Sequence, residues 1–269
     1  MKKLVLLLLI PLLFFACDMS SDGDKETPLT ATPDAQTEDD DKATGVYKGV
    51  IADSDTSGTY KIEIDSTPLG RSVGDSYKAT LYMEVDGTTI SKEGTATEQS
   101  DGSLKVTFSL TIVGSVFDFD LTVSSSGDIS SVSVKMDGEE IGTTVKKESS
   151  TTLLEAWEGT YEGNVHNSSI PDGYYVKNTG TWNFLIEGNK LEGLYSGKET
   201  TNMPAEYYTP DLSQKGNYTG LIIGDSITLE MADDGPEICS GQKTGDSVNG
   251  TWSFDDGSSD GSWKGTRSR

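Results

Sequence analysis

His166 is the single histidine of this 269-residue chain, and Cys17 and Cys239 are its two cysteines. That set is too small for a Cys/His zinc cluster and offers little to histidine-based acid–base catalysis. Carboxylates are plentiful by contrast. The chain carries 44 acidic and 21 basic residues, a net charge of −23. A surface so negative repels phosphate backbones, so no nucleic-acid partner is expected. Two carboxylates can flank a glycosidic bond, yet in so acidic a chain no pair stands out. No phosphate loop or His-Glu-x-x-His helix occurs. The chain therefore reads as a non-enzyme with no catalytic residue, a glycosidase being the weakest of the functional readings.

Metal chemistry has an equally thin basis. Asp53-Ser54-Asp55 and Asp255-Asp256-Gly257-Ser258-Ser259-Asp260 offer hard oxygen ligands on turns, as calcium requires. Neither segment follows the Asp-x-Asp-x-Asp-Gly spacing with a glutamate at the twelfth position. Solvation of hairpin turns accounts for these acids, and no metal or dissociable cofactor is expected.

Aromatic residues carry more information. Tyr174-Tyr175 follows Ile170-Pro171-Asp172-Gly173, and Tyr207-Tyr208 follows Met203-Pro204-Ala205-Glu206. Rings beside proline have little freedom to lose and suit contact with a sugar or a protein. The other reading of these tyrosines is that they cap the end of a folded body. Trp157, Trp182, Trp252 and Trp263 all fall in the C-terminal part. They read as core or as the lining of a cavity, with Trp182 and Trp252 the candidates for ligand contact.

The N-terminus is an address label. Met1-Lys2-Lys3 is a short basic region, and the apolar run Leu4–Phe15 is broken only by Pro11. As a helix that run rises about 18 Å, short of the roughly 30 Å hydrocarbon core. It fits a signal peptide over residues 1–16 and not a permanent span. The run ends in Leu13-Phe14-Phe15-Ala16-Cys17, which resembles the lipobox of bacterial lipoproteins. Ala16 matches the small residue before the cut, while Phe14 stands where that family usually has leucine. The resemblance implies diacylglycerol on the Cys17 thiol and an acyl chain on its new amino group. It also implies a place in the bacterial cell envelope, anchored to a membrane. The alternative is an exported protein cut nearby, with Cys17 incidental. If Cys17 carries lipid, Cys239 has no partner for a disulfide, and burial is its expected fate.

Residues 17–44 read as the lipidated cysteine and an acidic, disordered tether, too poor in apolar side chains to offset the entropy of ordering. The folded part begins with a repeat: Gly45-Val46-Tyr47-Lys48-Gly49 recurs as Gly159-Thr160-Tyr161-Glu162-Gly163. Between the two copies, Lys146-Lys147-Glu148-Ser149-Ser150-Thr151-Thr152 is polar. The expectation is a first domain over 45–146, a linker over 147–156 and a second domain over 157–269, folding independently.

The elements that must position the aromatics are strands. Phe117, Phe119, Leu121 and Val123 alternate with Asp118, Asp120 and Thr122. Val106–Ile112, Leu81–Val85 and Tyr60–Ile64 repeat that period, which puts apolar side chains on one sheet face. Turn pairs at Asp86-Gly87, Asp101-Gly102, Val113-Gly114, Ser126-Gly127 and Asp137-Gly138 leave room for hairpins and none for crossover helices. The fold class is all-β. Each domain is an antiparallel up-and-down meander, the first of about eight strands, and a small barrel is favoured over a sandwich. A transmembrane barrel shows the same alternation inverted, but so short an apolar stretch per strand argues against it.

Gly180-x-Trp182, Gly250-x-Trp252 and Gly261-x-Trp263 place glycine and tryptophan on one strand face. Glycine lets a strand bend, and a neighbouring ring can cover the backbone it bares. These strands resemble those of lipocalin-like and avidin-like small barrels. The resemblance implies a small ligand held inside, and no ligand-contacting residue carries over by position. In such a meander the segments around Tyr174-Tyr175, Tyr207-Tyr208, Asp233-Asp234-Gly235-Pro236 and Asp255–Asp260 share one mouth. The functional reading is a membrane-anchored, non-catalytic module for a small apolar or sugar ligand. The alternative is a surface interaction protein or adhesin that meets a protein partner through the loop tyrosines.

Overall fold

The computed structural model describes residues 29–53, 55–70, 76–166, 170–231 and 238–268. Within them the chain is all-β, with one 3-10 turn at Thr37–Asp39 and two antiparallel meanders. The first comprises β1 (Gly45–Asp53), β2 (Thr56–Pro68), β3 (Ser76–Val85), β4 (Thr88–Glu98), β5 (Leu104–Ile112), β6 (Ser115–Val123), β7 (Ile129–Met136), β8 (Glu139–Glu140) and β9 (Gly142–Lys147). Consecutive strands pair from β1 to β8, and β9 returns to the free side of β1. The Ile141 amide donates to Val134 O at 3.0 Å, which brings that return beside β7 and curls the sheet almost shut. The ninth strand is thus the one that nearly closes the ring.

Period-two alternation sets its core. Leu110, Phe108 and Val106 pair across from Phe117, Phe119 and Leu121, all buried. The Tyr60 ring meets Phe119 edge-on at 5.1 Å, and the interior is filled by side chains. Asp86-Gly87, Val113-Gly114 and Asp137-Gly138 all have positive φ at both positions. That is the turn whose twist matches paired strands.

The second meander is a closed barrel of β10 (Leu154–Val165), β11 (Val176–Glu187), β12 (Lys190–Thr201), β13 (Gln214–Ile223), β14 (Ser226–Met231), β15 (Ile238–Thr244), β16 (Ser247–Ser253) and β17 (Ser259–Ser268). β17 pairs back onto β10, so no edge is left open. Its tight turns lie at one end, and there the barrel is sealed. Glu155 binds Lys243 at 2.7 Å and accepts from Trp157 Nε1 at 3.0 Å, with Arg267 also in reach.

The two meanders share an interface. β1 is buried on both faces: Tyr47 and Ile51 belong to its own core, while Val50 and Ala52 pack with Leu154, Ala156, Leu185 and Leu194 of the barrel. Asn183, fully buried, donates to Ile51 O and accepts from Ser57 Oγ at 2.8 Å. Separating the two meanders would expose these side chains to water.

The segment before β1 also packs on the fold: Asp39 is buried, and Asp40 accepts from Ser150 N and Oγ at 2.8 and 2.7 Å. Glu148, in the polar stretch between the meanders, has no exposed side-chain surface, and β10 begins at Leu154. These polar groups satisfy one another. Residues 1–28, with Cys17 and the segment read as a signal peptide, lie outside the described residues.

Glu158 faces the first meander from β10. Burial, with Glu84 and Asp86 nearby, raises its pKa from 4.5 to about 7. An acid raised on folding stabilises the fold fully below its unfolded pKa, and that contribution is lost as pH rises through about 7. Melts should therefore weaken between pH 4.5 and 7. Glu158→Gln should flatten that slope. A slope unchanged in the variant would assign it to other groups.

Candidate functional site

The mouth end of the barrel holds a cavity of about 410 Å³, within the range of about 300–1,000 Å³ usual for small-ligand sites. Inward positions follow from register. Trp157, Gly159, Tyr161 and Gly163 of β10 face Phe184, Trp182, Gly180 and Asn178 of β11. The lower layer, with Trp157, Phe184, Ile186, Leu191, Ile227 and Val248, is packed solid. Above it Trp182, Tyr218 and Trp263 form the floor, and Tyr161, Asn178, Tyr195, Met231, Trp252 and Phe254 rise around the space.

Each of four rings lies over a cross-strand pair of glycines. Trp182 covers Gly159 and Gly265, Trp252 covers Gly163 and Gly261, and Trp263 covers Gly241 and Gly250. Tyr161 covers Gly180 and Gly197. A Cβ at Gly250 would sit 2.3 Å from Trp263, so only glycine admits the ring. The covering ring comes from a neighbouring strand, a known device for holding curved sheets. Ring planes then stand nearly perpendicular: Tyr161 to Trp252 at 86° and 6.3 Å, and Tyr161 to Tyr195 at 81°.

Polar atoms on this wall differ in how they are satisfied. Trp182 Nε1 donates to Thr160 O at 2.9 Å, Trp263 Nε1 to Thr251 O at 3.3 Å, and Tyr218 to Asn183 O at 3.1 Å. Tyr161 Oη, Asn178 Oδ1 and Trp252 Nε1 are buried and find no partner among the described residues. Cys239 also lines the space. Burial pushes its thiol up to about 12, so it is protonated and unreactive at neutral pH.

Of the residues singled out from sequence, Trp182 and Trp252 line the cavity, while Tyr174, Tyr175, Tyr207 and Tyr208 are not part of its lining. Tyr174, Tyr175 and Tyr207 are 41%, 46% and 69% exposed on the loops above. Their two loops are tied together, with Tyr175 N donating to Asn202 Oδ1 and Asn202 Nδ2 to Gly173 O. Tyr208 is pinned instead, donating to Glu199 Oε2 at 2.8 Å. Burial and that carboxylate push its pKa up to about 12.

Tyr161, Asn178 and Tyr195 went unrecognised in the sequence. The signal for Tyr161 was present in Gly159-x-Tyr161-x-Gly163, whose parity matches Trp157. Nothing marked Asn178. Among the described residues no three His, Cys, Asp or Glu side chains converge to hold a metal ion. His166 Nε2 lies 3.1 Å from Asp260 Oδ1 at the exposed mouth. Residues 232–237, with the Asp233-Asp234-Gly235-Pro236 turn, lie outside the described residues.

Compared with known proteins, the chain matches no family model, no curated protein and no solved structure.

Proposed function

We propose that this is a lipid-anchored protein of the bacterial cell envelope that binds a small molecule inside its second barrel, without catalysis and without a dissociable cofactor. The observation that carries the reading is the partly open cavity of about 410 Å³ lined by aromatic rings. Such a wall can bury the faces of a small ligand. The lipocalin-like and avidin-like resemblance of the strands points the same way. Thermal melts against a library of neutral small molecules test it. A ligand that binds the folded state raises the melting temperature, by an amount that grows with the logarithm of one plus the ratio of free ligand concentration to Kd. Met231→Trp, which narrows the mouth, should abolish that rise. Equal rises in both proteins would place binding elsewhere.

Anchoring rests on the Ala16-Cys17 junction after a short apolar run. Labelled palmitate should enter the wild-type chain made in a lipoprotein-processing bacterium and not Cys17→Ala. Label in the variant would overturn the anchor. Arg267, at the sealed end, donates to Thr30 O, which puts residue 30 at the end of the barrel opposite the mouth.

A second reading, recognition of a protein or glycan by the rim, is favoured by the exposure of Tyr174, Tyr175, Tyr207 and Leu212. Changing Tyr174 and Tyr175 together to alanine should leave stability within about 0.5 kcal/mol. Binding on a glycan or protein array should fall at least about tenfold, equal to about 1.4 kcal/mol. Unchanged binding would remove the rim from consideration.

A further inference from the structure

We infer that the cavity takes an amphipathic organic cation, with an apolar body held among the rings and one positively charged end left at the mouth. The inference rests on the ligand-binding reading and narrows it to a chemical class. The wall sets the body. Trp182, Trp263 and Tyr218 spend their donors on wall carbonyls. Tyr161 Oη, Trp252 Nε1 and Asn178 Oδ1 are closed off from the space. The Tyr195 ring edge packs on Gly216, its register partner, where a Cβ would come 2.9 Å from Oη. Below the rim a ligand therefore meets mainly carbon, with Leu229, Met231 and Phe254 completing the wall. A sugar would leave its hydroxyls unpaired there, and an ion would lose its hydration without a counter-charge.

The mouth sets the other end. Asp211, Ser213, Gln214 and Lys215 form one polar run of the lining at the entrance. Asp211 and Lys215 are exposed and opposite in sign, so the loops around them decide the net field. The described mouth loops, residues 170–175, 202–213 and 254–258, carry Asp172, Glu206, Asp211, Asp255 and Asp256 and no lysine or arginine. All five acids are exposed. The sealed end differs, for Glu155, Asp246 and Glu187 there pair with Lys243, Arg267 and Lys146. None of the five mouth acids has such a partner among the described residues. Lys177 and Lys215, on the adjoining strands, leave the entrance negative.

A mouth of one sign over low-dielectric walls gathers ions of the other sign. A cation with a single charged end gains from that field and keeps the charge in water while its body is buried, as a lysine side chain does. An anion of the same length is repelled at the entrance. A second charge at the far end would have to enter the carbon-lined interior.

Tryptophan-fluorescence titration of the full chain with octylamine, octanoate and 1,8-octanediamine tests the class. Octylamine, protonated at neutral pH, should bind at least about tenfold more tightly than octanoate at low salt, equal to about 1.4 kcal/mol. That gap should shrink in about 0.5 M sodium chloride, which screens the loops. The diamine should bind at least about tenfold more weakly than octylamine. The triple variant Asp172→Asn, Glu206→Gln, Asp255→Asn should narrow the preference for octylamine over octanoate, and a ligand-free melt like that of wild type would show that it folds. If octanoate or the diamine binds as tightly as octylamine, if salt leaves the gap unchanged, or if the folded triple variant keeps the full preference, the class is wrong while the cavity stands. If no octyl compound binds, or if Met231→Trp leaves their binding intact, the cavity reading falls and this inference with it.

Discussion

Glu148→Ala should unfold this protein more readily than any change at the cavity mouth, lowering its stability by about 3–5 kcal/mol, as expected when one partner of a buried ion pair is removed. The carboxylate is wholly buried, and Lys48 opposite it is nearly so. Its Oε1 accepts from Lys48 Nζ at 2.7 Å and from Leu154 N at 2.9 Å. Its Oε2 accepts from Asp34 N at 2.8 Å and Ala35 N at 3.3 Å. One side chain thereby joins β1, the segment before it and the entry to the barrel. Among the described residues, alanine leaves Lys48 with only Asp34, 3.4 Å away and partly exposed, and it takes the carboxylate partner from three amides. A loss of that size is a large share of the roughly 5–15 kcal/mol that holds a typical domain. Denaturant midpoints measure it. The pair Lys48→Met with Glu148→Leu should recover part of the loss, because the charge is removed along with its partner. It should not recover all, because the amides of Asp34, Ala35 and Leu154 stay unsatisfied. A single variant within about 1 kcal/mol of wild type would show that water reaches Lys48 and that the junction is open.

The strands were legible because period-two alternation is a local property. Phe117 and Phe119 on one side, Asp118 and Asp120 on the other, state which face is buried without any knowledge of the partner strand. The hairpins were legible for the same reason, since Asp-Gly at residues 86–87 and 137–138 specifies its own turn. What failed was long-range. Glu148 sits in a run of charged and hydroxylated residues, and its burial depends on a lysine 100 positions away and an amide 114 positions away. Composition reports the cost of burying such groups and not the partner that offsets it. The site divides along the same line. Trp182 and Trp252 were visible as Gly-x-Trp, whereas Asn178 becomes significant only through its registration with Gly163 and the ring laid over it. The tyrosine pairs were conspicuous in sequence because exposed loops tolerate conspicuous residues. The cavity below them is built from side chains that look like ordinary core.

Trp182→Ala is the second change expected to have a large effect, and it separates the floor of the cavity from its binding wall. The indole is buried, stacked on Phe184 at 4.7 Å and set edge to face with Trp263 at 5.1 Å. It also covers the paired glycines 159 and 265, where β10 meets β17 and the barrel closes. Alanine removes the ring from all these neighbours, and the flanking strands cannot collapse into the gap without breaking the hydrogen-bond ladder that closes the barrel. Loss of about 3–5 kcal/mol is the usual result of truncating a buried tryptophan to alanine. Trp252→Phe should behave differently. Its N–H has no partner to lose among the described residues, and a phenyl ring can still lie over Gly163 and Gly261. Side by side, the first variant should show a much lowered denaturant midpoint and altered near-ultraviolet circular dichroism. The second should melt like wild type and differ only when ligand is present. If Trp182→Ala proved as stable as wild type, the floor would already be loose and the cavity deeper than its lining indicates. If both variants lost stability equally, Trp252 would be core as well.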